Sequence, residues 1–71
     1  MNAYYVNYRL CGGQIEGIGL LAKNKEDAYD TAVFELIPEK CGELPYSAWV
    51  SSVTYNNGNC HYFNTHEGKP Y

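Results

Sequence analysis

Residues 24–37 read NKEDAYDTAVFELI, and the reading of this stretch decides the fold. Ala28, Tyr29, Ala32, Val33, Leu36 and Ile37 recur at i, i+1, i+4, i+5, i+8 and i+9. That spacing draws one continuous apolar stripe along a helix and none along a strand. Asn24 suits the N-cap, where its side-chain oxygen accepts from a free backbone N–H of the first turn. Asp27, three residues on, is a short capping-box partner, and Glu26, Asp27 and Asp30 set negative charge near the positive end of the helix dipole. Pro38 lacks an N–H and disfavours helical backbone at Ile37, so the spacing predicts a helix over about 25–37 that stops or kinks there. Gly42 suits the position after a last turn, if one runs on through Lys40 and Cys41. The opposite face carries Lys25, Glu26, Asp30, Thr31 and Glu35. A helix wet on one side packs its dry side on something, and the flanking segments say that this is a sheet.

Working outward, Tyr4, Val6, Tyr8 and Leu10 alternate with Tyr5, Asn7 and Arg9, a period of two over about 3–10. Cys11-Gly12-Gly13 reads as a turn, and a second strand follows over about 14–22, forming a hairpin with the first. Gly17 and Gly19 fall on one face of it, which points to a bulge near Gly17 or a groove for the helix. They sit inside an apolar run and open no helix, so they do not make a nucleotide loop. Beyond the helix, PEKCGELPY (38–46) is loop. A third strand covers about 47–55, with Trp49, Ser51, Val53 and Tyr55 on one face and Ala48, Val50, Ser52 and Thr54 on the other. Asn57-Gly58 supplies the two positive-φ positions of a type I′ turn. That turn pairs Tyr55 with Cys60, Val53 with Tyr62 and Ser51 with Asn64 on one face, and Thr54 with His61 and Ser52 with Phe63 on the other. It also sets Val50 against Thr65 and Trp49 against His66, with the fourth strand over about 60–65. The expected architecture is α+β: a single domain, 1–71, ordered β-β-α-β-β, with a mainly antiparallel four-stranded sheet and one helix on one face.

A chain of 71 residues holds one small and marginal core, to which association adds stability. The opening MNAYYVNYRL has neither a basic region nor an apolar run, so no signal peptide is expected and the cytoplasm is the expected location. No stretch is long and apolar enough to span a membrane. Three cysteines, an odd number, fit reduced thiols. The net charge of −3 is gathered over residues 23–43, where Lys23, Lys25 and Lys40 face Glu26, Asp27, Asp30, Glu35, Glu39 and Glu43. Dense acidic charge disfavours direct binding of nucleic acid, whose phosphates call for a basic patch.

The eight tyrosines are good strand residues and are also enriched at binding surfaces. One helix covers one side of a sheet, so some rings face away from it, as candidates for docking or for a homodimer through the sheet face. The candidate partner-binding residues are the carboxylates Glu26, Asp27, Asp30 and Glu35 and the rings Tyr5, Trp49, Tyr55 and Tyr62. Exposed rings also leave open a sheet that stacks single-stranded bases. No metal site and no cofactor is expected: Cys11, Cys41, Cys60, His61 and His66 show no short cysteine knuckle, and adjacent Cys60 and His61 point to opposite faces of a strand. A catalytic thiol would need a base: Cys11 or Cys41 could approach His61 or His66 in space, but nothing in the spacing requires it. A domain this small leaves little room for a pocket, so the reading is non-enzymatic, with a small Cys/His metal or thiol protein as a further alternative.

In size, acidity, tyrosine content and lack of a catalytic motif, the chain resembles the small proteins of phages and mobile elements, the anti-CRISPR inhibitors in particular. The resemblance covers the whole chain as a type and involves no shared motif. It implies a stoichiometric inhibitor that occupies a basic, nucleic-acid-binding surface of a defence complex, with the helix carboxylates standing in for phosphates.

Overall fold

The computed structural model describes residues 1–64. The chain runs through β1 (Asn2–Arg9), β2 (Ile15–Ala22), α1 (Lys25–Thr31), a π-helical turn (Ala32–Leu36), α2 (Ile37–Cys41), β3 (Ser47–Thr54) and β4 (Cys60–Tyr62). The strands form one sheet in the order β2-β1-β3-β4, and every neighbouring pair is antiparallel. The two hairpins therefore meet through their first strands, β1 and β3. Tyr4, Val6 and Tyr8 of β1, with Ala48, Val50 and Val53 of β3, form the core with Ala28, Ala32, Val33 and Ile37 of the helical layer. The α+β architecture and its single covered sheet face follow the sequence pattern.

The helical layer starts as its residues dictate and ends later. Asn24 Oδ1 accepts from the Asp27 N–H at 2.7 Å. The Asp27 carboxylate reaches back to the Lys23 N–H at 3.2 Å, one residue outside the box position. Instead of stopping at Ile37, the helix continues to Cys41 through five residues in π geometry. There the Ile37 N–H donates to Ala32 O, five residues back. The extra residue in this turn solves two problems. It returns Ile37 to the buried face that Ala32 occupies, where a regular helix would swing it toward the rim of the apolar stripe, and both side chains are fully buried. It also falls just ahead of Pro38, whose ring would clash with the carbonyl four residues back in a regular helix. The last turn ends at Gly42 (φ 79°), whose N–H donates to Pro38 O at 2.8 Å. That left-handed backbone suits glycine.

Three expectations about the sheet need correction. First, β3 does not alternate strictly. Tyr5 pairs with Ser52 but Val6 with Val50, so Ser51 is an extra residue. This bulge switches the faces of β3: Ala48, Val50 and Val53 share the helix side, while Trp49, Ser52 and Thr54 lie on the other. The Ser51 hydroxyl donates to Tyr5 O at 3.0 Å.

Second, the β3–β4 register is one residue off the type I′ expectation, pairing Ser52 with Tyr62, Val53 with His61 and Thr54 with Cys60. The loop has three residues, not two. The Gly58 N–H donates to Tyr55 O at 2.9 Å, and the Tyr55 N–H to Asn59 O at 2.8 Å. Gly58 alone takes a positive φ, 90°, so the turn is type I followed by a glycine in left-handed backbone. Asn57 keeps a negative φ and uses its Oδ1 to accept from the Asn59 N–H at 3.0 Å. β4 ends at Tyr62, with the Phe63 N–H still donating to Ser51 O at 2.9 Å. The pairings expected for Thr65 and His66 lie outside the described residues.

Third, β1 and β2 pair without interruption, so Gly17 makes no bulge, and the glycines lie on the side away from the helix. A Cβ built on Gly17 would run into the ring and hydroxyl of Tyr5. The hollow left at Gly17 is the bed of the Tyr5 ring, while Gly19, touched only by the ring's edge, stays exposed.

Candidate functional site

Register assigns every strand residue to one of two faces. The side away from the helix carries Ala3, Tyr5, Asn7 and Arg9 from β1 and Ile15, Gly17, Gly19 and Leu21 from β2. From β3 and β4 it carries Ser47, Trp49, Ser52, Thr54, Cys60 and Tyr62. Arg9 is the one charged side chain among these, and its guanidinium lies 5.9 Å from the centre of the Tyr46 ring. Tyr5, Ile15, Leu21 and Tyr62 are all exposed, Tyr62 to 77 %. Between them runs an open groove of about 660 Å³, bordered by Tyr5, Leu21 and Tyr62 and containing Gly19, Ser52 and Cys60. The small domain thus has room for a concavity that its length argued against, though it is a furrow in a sheet and not an enclosed pocket.

The carboxylates lie on the other side of the molecule. Glu26, Asp30 and Glu35 are exposed on the helical layer. Asp27 is half-buried and already engaged at the helix start, its N–H with Asn24 and its carboxylate with Lys23. Glu26, Asp30 and Phe34 follow at four-residue spacing, which stacks them along one edge of the helix. Phe34 is 59 % exposed. Among the candidate residues, therefore, the acids on the one hand and Tyr5, Trp49 and Tyr62 on the other occupy opposite faces, and no single flat surface presents both sets. Tyr55 is off the open face and meets the acids at one point, Glu26. It lies past the end of β3, and with Tyr4, Lys25, Glu26 and Phe63 it lines a second hollow, of about 380 Å³, at the helix start. The Lys25 ammonium sits 5.2 Å from the centre of the Phe63 ring. The sequence reading missed Phe34: its position on the polar side of the helix was the signal.

Among the described residues the thiols do not converge on a base. Cys11 and Cys60 are exposed, and Cys41 is half-buried. Cys41 Sγ lies 3.8 Å from the hydroxyl of Tyr8, beneath the helix. Burial is the first cause that pushes the Tyr8 phenol up to about 12. The hydrogen bond to Cys41 follows, then the negative charge that Cys41, Glu16 and Tyr5 carry when ionised. Burial, then Tyr55, raises Tyr4 in the same direction. His61 packs edge-on to Phe63, ring centres 4.8 Å apart, on the side of β4 opposite Cys60. Among the described residues no three of His, Cys, Asp and Glu gather where they could hold a metal ion, and His66 lies outside them. No helix of the described residues is long and apolar enough to cross a membrane.

The open sheet face has the rings that base stacking needs. Arg9, its one cation among the described residues, gives a phosphate backbone little to follow, since such grooves are lined by cations. No protein-family model, no curated protein and no solved structure matches the chain.

Proposed function

We propose that this chain is a non-enzymatic protein-binding module that sets its acidic helix face against a basic surface of a partner protein. The observation that carries the reading is Phe34, an aromatic side chain 59 % exposed in line with Glu26 and Asp30 and next to Glu35. An exposed ring among carboxylates has the make-up of an interface centre. The ring supplies the desolvated anchor, and the charges around it steer the encounter and reject acidic surfaces. Basic surfaces that hold nucleic acid offer both a cationic field and flat gaps between side chains. In its most specific form the module is an inhibitor of the anti-CRISPR type, with Glu26, Asp30 and Glu35 in the places of phosphates. The small acidic chain and the absence of charge from its sheet face, Arg9 apart, support assigning this role to the helix side.

The test is capture from a host lysate at low and moderate salt, comparing the native chain with Glu26→Lys/Asp30→Lys/Glu35→Lys and with Phe34→Ala. The triple reversal should abolish the captured partner, and Phe34→Ala should weaken its capture at every salt concentration. A partner held equally well by all three proteins, with unchanged salt dependence, removes the acidic-face reading.

A further inference from the structure

The open sheet face presents a second problem, independent of the acidic helix. Four exposed apolar side chains, Tyr5, Ile15, Leu21 and Tyr62, stand on one nearly uncharged surface. Burying such a surface is favourable at about 25 cal/mol per Å² of apolar area, so an occupant is expected.

We infer that the occupant is a second copy of this chain, packed sheet to sheet about a two-fold axis running along the strands. Charge is the first argument. The chain carries −3, and two copies repel unless their acids are kept apart. Glu26, Asp27, Asp30, Glu35 and Glu39 sit on the helical layer, beyond the core from the open face, and Glu16 of β2 is on the same side of the sheet. A sheet-to-sheet pair therefore places the two acidic layers on its outer surfaces, at the greatest separation the fold permits.

Register is the second argument. Gly19, Tyr5, Ser52 and Tyr62 are successive partners across the four strands and form one straight row. The row is high at one end, where Tyr62 is 77 % exposed, and low at the other, where Gly19 has no side chain. A half-turn about an axis parallel to the strands lays the row over itself in reverse. Tyr62 of each copy then stands over the glycine end of the other, and two equivalent contacts form at once. This is the self-complementarity that a two-fold interface requires. In the next row Leu21 and Cys60 hold the two ends, so the exposed leucine of one copy meets the small thiol of the other.

Size is the third. Strands spaced about 4.8 Å apart and about 3.3 Å per residue give the face, with β4 only three residues long, roughly 430 Å² in projection. That is enough for an interface of the smaller class, below the roughly 800 Å² per partner of a standard one.

The proposal stands or falls apart from the helix-face reading, because its readout needs only the pure protein. Sedimentation equilibrium over a wide concentration range should give twice the chain mass of 8.0 kDa. Trp49, the only tryptophan, lies on the open face and should show a blue-shifted emission as the dimer forms. Tyr62→Glu places one charge per chain, two per dimer, in the interface and should weaken association by at least about a hundredfold, at tenfold for every 1.4 kcal/mol. Leu21→Lys should act likewise. Both positions are largely exposed in the single chain, so the far-UV spectrum should stay native. Phe34→Glu, on the far side, should leave the dimer intact. A native chain that remains monomeric throughout overturns the inference, whether the face is then bare or awaits another protein. So does a dimer that survives both sheet-face variants or dissociates only with Phe34→Glu.

Discussion

Truncating Ile37 tests the role assigned to the π turn. Ile37 is fully buried, and the turn keeps it on the buried face with Ala32. Ile37→Ala removes three carbon atoms, worth about 2.4 kcal/mol at roughly 0.8 kcal/mol per buried methylene. The cavity left behind adds to this and brings the loss to about 3–4 kcal/mol. At the usual stability per residue, a domain of this length has about 4–10 kcal/mol in total, so the variant should be close to unfolding. Urea denaturation followed by far-UV circular dichroism reads the effect. With a slope of about 1–1.5 kcal/mol per molar, the midpoint should fall by about 2 M or more. Phe34→Ala, three residues away and pointing to solvent, should stay within about 0.5 kcal/mol of the native chain. If Ile37→Ala cost less than about 1 kcal/mol, Ile37 would lie at the rim of the stripe, as in a regular helix, and the alignment argument would be wrong.

Gly58→Ala forces a Cβ into backbone with φ 90° and should cost about 1–2 kcal/mol. A thermal midpoint lowered by roughly 5–10 °C would show this, and an unchanged midpoint would mean that the hairpin takes another turn. Tyr8 should make the fold sensitive to alkali. Its phenol is raised from 10.0 to about 12 in the folded chain, so its contribution is complete below pH 10. Between 10 and 12 the unfolded chain ionises first, and stability falls as pH rises. Tyr8→Phe should flatten that part of the pH profile of urea midpoints, and a variant that declines as steeply as the native chain refutes the assignment.

The local chemistry of the chain was sufficient for its element order. The apolar stripe from Ala28 to Ile37, the Asn24 cap and the alternation from Tyr4 to Leu10 act between near neighbours, and near neighbours are what a sequence displays. Gly42 closing the helix and Gly58 turning the last hairpin belong to the same class. The carboxylates Glu26, Asp30 and Glu35 lie exposed on the helix, as that stripe required. What contacts between distant segments decided was of a different kind. Pro38 signalled a stop, but burying Ile37 and half-burying Cys41 over the sheet was worth a widened turn, and the helix ran on. Ser51 looked like any strand residue; only the need to keep both Val50 and Val53 under the helix made it a bulge, which separated Trp49 from Tyr55. Gly17 of β2 is explained by a ring from β1, and Tyr62 acquires its place opposite Gly19 only through three strand pairings. Periodicity along a chain records which way each residue points, while the sums of packing across strands determine what it points at.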